Sequence, residues 1–168
     1  MPQRVIELLG KEHERKAFSC GNGTLARYLR EQVSQDMKRR VTTPFVFVEP
    51  PQKTVIGYYT LAAGSVTLDE WPAAVKKKLP HYQRIPVTLL GRLALDINHQ
   101  GRGLGQFLLM DALSRSLKAA NEIASVAVIV DAIDDSARTF YQHYGFIIFP
   151  DQTHRLFIHM QTIGEMFS

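Results

Sequence analysis

Residues 87–105 have the sequence VTLLGRLALDINHQGRGLG, and this stretch decides the fold. Val87–Leu95 is mostly apolar, which predicts a buried strand. A glycine-rich turn, Gln100–Gly105, comes next, and apolar residues then recur at helical spacing to about Ala120. A second buried strand is predicted at Ser125–Val130, and two strands joined by a helical crossover of this length are expected to run parallel.

The helix after the turn is expected to pack one apolar face against the sheet, because its apolar residues recur three and four positions apart. These residues are Phe107, Leu108, Leu109, Ala112, Leu113 and Leu117. The first helix that the sequence predicts covers residues 22–38, and Asn22 or Thr24 would cap its N-terminus. The whole chain therefore has the pattern of an α/β protein.

Two strands and an irregular segment are predicted between that first helix and the deciding stretch. Pro44–Val48 and Thr54–Leu61 are rich in β-branched and aromatic residues, and the prolines between them favour a hairpin. Residues 66–86 are expected to be irregular, apart from a short helix around Pro72–Lys78.

The last third of the chain predicts a short helix and a strand pair. Asp134 and Asp135 would open the helix, which is expected to run through Tyr141 and to end at Gly145. Phe146–Phe149 and Arg155–Met160 are then expected to form an antiparallel pair.

The composition is that of an ordinary globular protein, with 45% apolar and 21% charged residues over a length of 168 residues. This length predicts a single domain over residues 1–168. No apolar stretch approaches the roughly 20 residues of a membrane-spanning helix, and residues 1–7 lack the apolar run of a secretory signal. Cys20 is the one cysteine, so no internal disulfide is possible and no cysteine–histidine metal cluster is expected. These features predict a cytoplasmic protein without a metal or a membrane partner.

Positive charge is concentrated in two places within a formal net charge of +4. The clusters are Lys38-Arg39-Arg40 and Lys76-Lys77-Lys78, with Arg84 following the second. One interpretation is a solvated surface that keeps the protein soluble. The other is a footprint for the phosphate backbone of a nucleic acid, because clustered Lys and Arg release counterions from it.

The glycine-rich turn has a use in anion binding. Without Cβ atoms the backbone can approach a ligand closely, and the first turn of the following helix offers unpaired N–H groups. Gln100–Gly105 is therefore a candidate pyrophosphate cradle, with Arg102 as a counter-charge. Glycine spacing by itself is also compatible with a tight turn that binds no ligand.

Two linked motifs resemble the GNAT acetyltransferase superfamily. The segment Gln100–Gly105 matches the signature Gln/Arg-x-x-Gly-x-Gly/Ala, and it follows a strand as it does in that family. The segment Phe140–Phe146, with the sequence FYQHYGF, matches the aromatic helix end Tyr-x-x-x-Gly-Phe. The resemblance extends from about Phe45 to Met160. It implies a mixed, mostly antiparallel sheet with a central splayed pair of parallel strands and flanking helices.

The resemblance also implies acetyl-CoA as co-substrate. Its pantetheine would enter between the splayed strands, and an N–H near Gly91–Leu93 would polarise the thioester carbonyl. Gly91 suits a bulge or a close approach, and relief of crowding is the alternative interpretation. The residues implied in cofactor binding are Leu93, Ala94, Leu95, Gln100, Gly101, Arg102, Gly103, Leu104, Gly105, Asp134 and Phe140.

Tyr141 is the residue that the resemblance places as general acid, where its hydroxyl would protonate the leaving thiolate. Tyr144 is the alternative, and core packing is the structural interpretation of either ring. No carboxylate stands out as a general base, since Glu49, Asp69 and Glu70 are each expected at the surface. An α-amine, with a pKa of about 7.7–8.0, needs such a base less than a lysine with a pKa of about 10.4.

A closer resemblance lies outside the cofactor motifs. Phe18–Leu29, with the sequence FSCGNGTLARYL, is similar to the opening of GNAT toxins from toxin–antitoxin modules. That resemblance implies acetylation of the α-amine of aminoacyl-tRNA, a ribbon-helix-helix antitoxin and a homodimer, and assigns Cys20 no chemistry. The residues expected to contact tRNA are Arg92, Lys38, Arg39, Arg40, Lys77, Lys78 and Arg84. For Arg92, which alternates with Leu93 on its strand, a structural ion pair is the other interpretation.

Two other functions remain open from the sequence. One is acetylation of a small amine or a protein N-terminus, with the basic surface incidental. The other is a non-catalytic module that binds acetyl-CoA. The intact Gln100–Gly105 turn together with Tyr141 favours an enzyme over the second.

Overall fold

Strands and helices alternate in a computed structural model of the chain, which describes residues 3–168. Met1 and Pro2, part of the N-terminal stretch discussed above, lie outside the described residues. The elements are β1 (Val5–Leu8), α1 (Gly23–Arg27), α2 (Val33–Lys38), β2 (Thr43–Val48), β3 (Gly57–Thr67), α3 (Ala73–Lys76), β4 (Arg84–Leu95), α4 (Leu104–Ala120), β5 (Ala127–Asp131), α5 (Asp135–His143), β6 (Ile147–Phe149), β7 (Gln152–His159) and α6 (Met160–Met166).

The strands form one seven-stranded sheet in the order β1-β2-β3-β4-β5-β7-β6. Strands β4 and β5 are parallel, with Thr88 opposite Val128 and Leu90 opposite Val130. The pairs β1–β2, β2–β3, β5–β7 and β6–β7 are antiparallel. The predicted mixed sheet with a parallel pair at its centre is therefore confirmed. Strand β4 continues to Leu95, beyond the last residue that is paired with β5.

The helix predicted over residues 22–38 is present, but it is not a uniform α-helix. A π-helical turn, Tyr28–Gln32, separates α1 from α2. The side chain of Asn22 caps the first turn by accepting a hydrogen bond from the Leu25 N–H at 3.0 Å. Asn22, rather than Thr24, is thus the cap.

Strand β3 differs from its prediction, since it begins at Gly57 and extends to Thr67 instead of covering Thr54–Leu61. Its second half contains Ala62, Ala63, Gly64 and Ser65, which are poor strand formers, so the sequence pattern hides it. Packing explains the glycine, because a Cβ on Gly64 would lie 2.8 Å from the Leu89 side chain. Strand β1 and helix α6 were not predicted, because each is short and has few apolar residues in a clear period.

The chain divides into two compact units, and β3, β4 and α4 contribute residues to both. The first unit comprises the chain up to Ala62 together with Gly91–Ala112. The second comprises Ala63–Leu90 and Leu113–Ser168. Whether residues 1–168 act as a single domain stays a prediction.

Each unit has its own apolar core. In the first, α1, the π-helical turn and α2 pack against the sheet through buried residues that include Leu29, Val33, Val46 and Tyr58. In the second, Trp71 packs against Phe149 and Phe157, with ring centroids 5.3 and 5.1 Å apart.

Most of the predicted inner face of α4 is buried. Leu108, Leu109, Ala112 and Leu113 are fully buried, as predicted, and Leu117 is half-buried. Phe107 is a correction, because it is 39% exposed and only the side of its ring contacts Phe47. Within residues 3–168 no helix has the length and apolar character needed to cross a membrane.

Helix α2 ends in a Schellman motif whose left-handed residue is not glycine. The Val41 N–H bonds to the Asp36 carbonyl and the Arg40 N–H to the Met37 carbonyl, both at 3.1 Å. Arg40 has a φ of 60°, in the region that favours glycine.

Because Arg40 occupies this conformation at a steric cost, we expect Arg40→Gly to raise the free energy of unfolding by about 1 kcal/mol. Urea denaturation of the purified protein measures the change. Arg39→Gly is the matched control, because Arg39 is equally exposed and equally charged but has a right-handed φ of −78°. That control should lose stability, and a gain in both variants would mean that relief of charge repulsion, not backbone strain, is the cause.

Candidate functional site

The glycine-rich turn has the open geometry that anion binding requires. Gly101 and Gly103 have φ values of 81° and 75°, in the left-handed region. A Cβ on either glycine would meet no atom within 4 Å, so backbone conformation, not crowding, is what selects glycine here. Helix α4 begins at Leu104, directly after this turn. The N–H groups of its first turn therefore adjoin open space.

The side chain of Gln100 anchors the turn. Its amide Nε2 donates to the carbonyls of Cys20 and Leu95, each at 3.0 Å. Both amide hydrogens are thereby used within the protein, so the side chain of Gln100 has no N–H left to donate to a cofactor. Arg102 is exposed beside this anchored turn, whereas Leu104 is buried.

Asp96 holds the other end of the loop. Its carboxylate accepts hydrogen bonds from the N–H groups of Ser19 at 3.2 Å and Asn98 at 3.1 Å. Its own N–H donates to the Ile56 carbonyl at 2.8 Å. Asp96 thus fixes the point at which β4 ends and the chain turns toward Gln100. On β4 itself, Ala94 and Leu95 are buried and Leu93 is half-buried.

Arg92 stacks on an aromatic ring. Its guanidinium carbon lies 3.4 Å from the centroid of the Tyr28 ring, and the Tyr28 hydroxyl donates to Asp36 at 2.7 Å. Within residues 3–168, Arg92 makes no salt bridge, so the ion-pair interpretation is replaced by a cation–π contact. A planar guanidinium held in this way keeps its N–H groups available for an acceptor.

The Tyr28 hydroxyl is kept protonated by its surroundings. Burial, followed by the hydrogen bond to Asp36, raises the pKa of Tyr28 to about 12, although Arg92 opposes the shift. The same hydrogen bond holds the pKa of Asp36 below its ordinary value. Tyr58, whose hydroxyl donates to the Leu25 carbonyl at 2.6 Å, also has a pKa raised by burial.

Tyr141 lies in an aromatic cluster at the end of α5. Its ring is buried and makes edge contacts with Phe140 and Phe146 at 5.3 and 5.2 Å. Burial raises the pKa of Tyr141 above its ordinary value, because the charged tyrosinate would lose its hydration. Tyr144 is half-buried, and its ring makes an edge contact with Phe140, with the ring centroids 5.1 Å apart.

Asp134 is the N-cap of α5. Its Oδ1 accepts a hydrogen bond from the Ala137 N–H at 2.8 Å, which accounts for a short polar residue at this position. A cofactor contact of Asp134 stays a prediction.

The predicted tRNA contacts divide between the two units. Lys38, Arg39 and Arg40 are exposed at the end of α2 in the first unit. Lys77, Lys78 and Arg84 are exposed between α3 and the start of β4 in the second. Lys76, by contrast, makes a salt bridge with Asp69 at 2.9 Å.

Two of the three carboxylates that the sequence offers as a general base already have protein partners. Asp69 pairs with Lys76 as described. Burial alone would raise the pKa of Glu70, but hydrogen bonds from Thr67 and Gln152 outweigh it and lower that pKa. Glu49 is half-buried in the segment between β2 and β3.

One group of metal-ligand type occurs within residues 3–168, formed by Glu7, Glu12 and His13, whose ligand atoms lie within 4.8 Å of one another. His13 is buried, its Nδ1 accepts from the Gly10 N–H at 2.9 Å, and its Nε2 lies 2.8 Å from the Glu7 carboxylate. Both ring nitrogens therefore have protein partners, and hydrogen bonding explains the cluster.

Three residues of the site, Tyr28, Asp36 and Asp96, are not identified by the sequence patterns. The sequence places Asp96 in the stretch before the glycine-rich turn and Tyr28 in the predicted helix over residues 22–38, without a role for either side chain. The one sequence signal for Asp96 is its residue type, because a carboxylate directly before a turn can accept hydrogen bonds from the N–H groups of that turn. The others depend on contacts between elements that a linear pattern does not contain.

Comparison with known proteins gives consistent matches. The family described as "Acetyltransferase (GNAT) domain" matches residues 82–162. A tRNA-acetylating toxin of Mycobacterium tuberculosis is 39% identical over 145 residues, which cover 86% of this chain and 85% of that protein. A probable toxin TacT of Sinorhizobium fredii is 28% identical over 98% of this chain and 95% of its own length.

Solved structures match over nearly the whole chain. AtaT complexed with acetyl-methionyl-tRNAfMet has a TM-score of 0.91 at 27% identity, over 99% of this chain and 100% of that one. AtaTR bound with acetyl-CoA has a TM-score of 0.87 at 28% identity, over 98% of both chains. AtaT bound to the C-terminus of the antitoxin AtaR has a TM-score of 0.84 at 26% identity, again over 98% of both chains.

The raised tyrosine pKa values predict a loss of stability at alkaline pH. Folded Tyr28 keeps its proton up to about pH 12, whereas unfolded tyrosine ionises near pH 10. Below about pH 10 the contribution of Tyr28 to the free energy of unfolding should be constant, and it should be lost as the pH rises toward 12.

Urea denaturation between pH 8 and 11.5 measures this effect, and Tyr28→Phe should fall less steeply with pH than the unaltered protein. Tyr82→Phe is the control, because the Tyr82 ring is 69% exposed and that variant should retain the original slope. Equal slopes for all three proteins would contradict the assignment.

Proposed function

This chain belongs to the GNAT family of acetyltransferases, and on that premise we propose that it moves the acetyl group of acetyl-CoA to the α-amine of an aminoacyl-tRNA, as the toxin of a toxin–antitoxin pair. The observation that carries the proposal is the 39% identity with a tRNA-acetylating toxin, over 86% of the chain. The likeness to AtaT with acetyl-methionyl-tRNAfMet supports the same substrate class.

The glycine-rich turn suits the pyrophosphate of acetyl-CoA. Gly101 and Gly103 leave open space beside their backbone, and α4 begins with N–H groups that have no intrahelical acceptor. Arg102 is exposed and able to add a counter-charge. The backbone of Leu93, Ala94 and Leu95 is proposed to pair with the pantetheine. Gly105, Asp134 and Phe140 are proposed as further contacts.

Acetyl transfer needs one nucleophile, one electrophile and one proton donor. The α-amine nitrogen forms a bond to the acetyl carbon and releases one proton to solvent, the carbon–sulfur bond breaks, and the thiolate takes a proton from a donor that solvent then reprotonates. An N–H in Gly91–Leu93 is proposed to stabilise the negative charge on the acetyl oxygen. Tyr141, which like any tyrosine is a neutral hydroxyl at neutral pH, is proposed to supply the proton.

The engaged carboxylates favour an α-amine as acceptor. Asp69 pairs with Lys76 and Glu70 accepts a hydrogen bond from Thr67, so neither stands out as a base for the substrate amine. An α-amine with a pKa of about 7.7–8.0 is partly neutral at physiological pH, whereas a lysine with a pKa of about 10.4 is not.

The exposed basic residues are proposed to contact the phosphates of tRNA. Lys38, Arg39 and Arg40 would form one contact region, and Lys77, Lys78 and Arg84 another. Arg92, stacked on Tyr28, is proposed to bind nearer to the reacting end. AtaT and AtaR form a complex, and we propose an antitoxin of ribbon-helix-helix type, a homodimer and a cytoplasmic location for this chain.

Purified protein with labelled acetyl-CoA and total aminoacyl-tRNA tests the proposal. Label should appear on charged tRNA and not on deacylated tRNA, because only the charged form has an α-amine. Binding of acetyl-CoA without transfer to charged tRNA would contradict the tRNA substrate, and transfer to small amines would then replace it.

Tyr141→Phe should lower kcat by about 100- to 10,000-fold, because it removes the proton donor. The dissociation constant for acetyl-CoA, measured by calorimetry, should stay unchanged. Tyr144→Phe is the matched control, since it removes a hydroxyl from the same aromatic cluster, and it should retain kcat. If Tyr144→Phe loses kcat and Tyr141→Phe retains it, Tyr144 is the proton donor instead of Tyr141.

A further inference from the structure

The guanidinium of Arg92 is held in place by a ring while its N–H groups stay available. Its central carbon lies 3.4 Å from the centroid of the Tyr28 ring. Among residues 3–168 none of its five N–H donors has a hydrogen-bond acceptor. Arg92 is half-buried and follows the exposed Gly91, so a ligand can reach these donors from solvent.

The ring beneath Arg92 is itself fixed. Tyr28 is 8% exposed, and its hydroxyl donates to Oδ2 of Asp36 at 2.7 Å. The other carboxylate oxygen, Oδ1, accepts from the amide of Gln32 at 3.2 Å. Because the ring cannot easily turn, the plane of the guanidinium on it is set before any ligand binds, which lowers the entropic cost of binding.

The charge around this stack is positive. The hydrogen bond from Tyr28 is the largest of the effects that lower the pKa of Asp36, and the charges of Arg92 and Arg39 lower it further. One carboxylate is therefore shared by two guanidinium groups, and the exposed Lys38 and Arg40 flank Arg39 in the chain. Such a region attracts an anion, and the planar fork of arginine matches the oxygens of a phosphate.

The position of Arg92 along β4 indicates which phosphate this is. Arg92 lies within Gly91–Leu93, the segment proposed to bind the acetyl oxygen, and neighbouring Cα atoms are only about 3.8 Å apart. A phosphate on Arg92 therefore belongs to the part of the substrate next to the reacting amine. In aminoacyl-tRNA the phosphate nearest to the aminoacyl ester is the one that joins the last two nucleotides.

We propose that Arg92 binds the phosphate between the last two nucleotides of aminoacyl-tRNA, and that Tyr28, tethered by Asp36, is the positioning residue that orients the Arg92 guanidinium. This inference rests on the proposed function and names the substrate group that this part of the site binds. Holding that phosphate places the aminoacyl ester beside the acetyl group. No covalent bond forms or breaks at Arg92.

The phosphate is tested with two charged tRNAs, one unaltered and one with an uncharged methylphosphonate at the last linkage. Arg92→Gln should raise KM for the unaltered tRNA by roughly 10- to 100-fold, because charge-assisted hydrogen bonds are lost. The methylphosphonate should raise KM of the unaltered protein by a similar factor. On that tRNA Arg92→Gln should cost less than about twofold more, since its partner is already gone.

Two results would overturn the assignment of this phosphate. One is an equal loss by Arg92→Gln on both tRNAs, which would mean that the group bound is elsewhere on the substrate. The other is a raised KM for acetyl-CoA with an unchanged KM for charged tRNA, which would assign the guanidinium to a phosphate of the cofactor.

The positioning role is tested with Tyr28→Leu, which removes the ring, and Tyr28→Phe, which keeps it. Tyr28→Leu should raise KM for charged tRNA by about 3- to 30-fold, because the cation–π contact is lost, and kcat should stay within about twofold. Tyr28→Phe should stay within about threefold in KM, since its ring still supports the guanidinium. In the Arg92→Gln background, Tyr28→Leu should add less than about twofold.

A purely structural role of Tyr28 gives a different pattern. A partly unfolded protein would show a lower kcat at an unchanged KM, and an independent defect would add in full to that of Arg92→Gln. Either result would overturn the role of Tyr28, as would equal KM values for Tyr28→Leu and the unaltered protein.

The failure of this inference differs from the failure of the proposed function. If the unaltered protein acetylates no charged tRNA, the proposed function is wrong, and the phosphate as partner of Arg92 is wrong with it. If the unaltered protein is active and Arg92→Gln has the same KM for charged tRNA, only the role of the stacked guanidinium is wrong.

Discussion

Two hydrogen bonds from one amide side chain fix the glycine-rich turn on which the candidate site depends. Gln100 joins the carbonyl at the end of β4 to the carbonyl of Cys20, each at 3.0 Å. These bonds hold the turn in which the chain leaves β4, passes through two left-handed glycines and enters α4 at the buried Leu104. A glycine-rich turn is intrinsically mobile, because glycine gives up the most conformational freedom on folding. The two hydrogen bonds of the Gln100 amide offset part of that entropic cost, and they leave the backbone of the two glycines open.

The parts of the fold that the sequence predicts are those encoded by local periodicity and by turn chemistry. The parallel β4–β5 pair, the cap at Asn22 and most of the inner face of α4 follow from apolar spacing and side-chain type. The second half of β3 does not, because Gly64 is selected by the Leu89 side chain on a neighbouring strand. The glycine-rich turn and Tyr141 are identified as site residues by their resemblance to short family motifs. Periodicity alone does not separate them from several other polar and aromatic candidates.

The remaining site residues depend on contacts that are distant along the chain. The orientation of Arg92 depends on Tyr28, and this pair has no signature at a fixed spacing in the sequence. A charged residue in a strand is equally compatible with an ion pair when only the sequence is considered. The aromatic ring beneath it changes that role, since a stacked guanidinium is oriented without consuming its N–H groups.

The π-helical turn at Tyr28–Gln32 sets the rotational phase of the helical segment. In an uninterrupted α-helix, eight residues turn through about 800°, so Tyr28 and Asp36 would point in directions about 80° apart. A wider turn rotates less per residue and brings both side chains toward one face, where their hydrogen bond measures 2.7 Å. The wide turn therefore accommodates one residue more than a regular helix would, without changing the face on which Asp36 lies. Deleting one residue from it would restore a regular helix in which Tyr28 and Asp36, then seven positions apart, differ by only about 20°, so the ring beneath Arg92 would keep its tether.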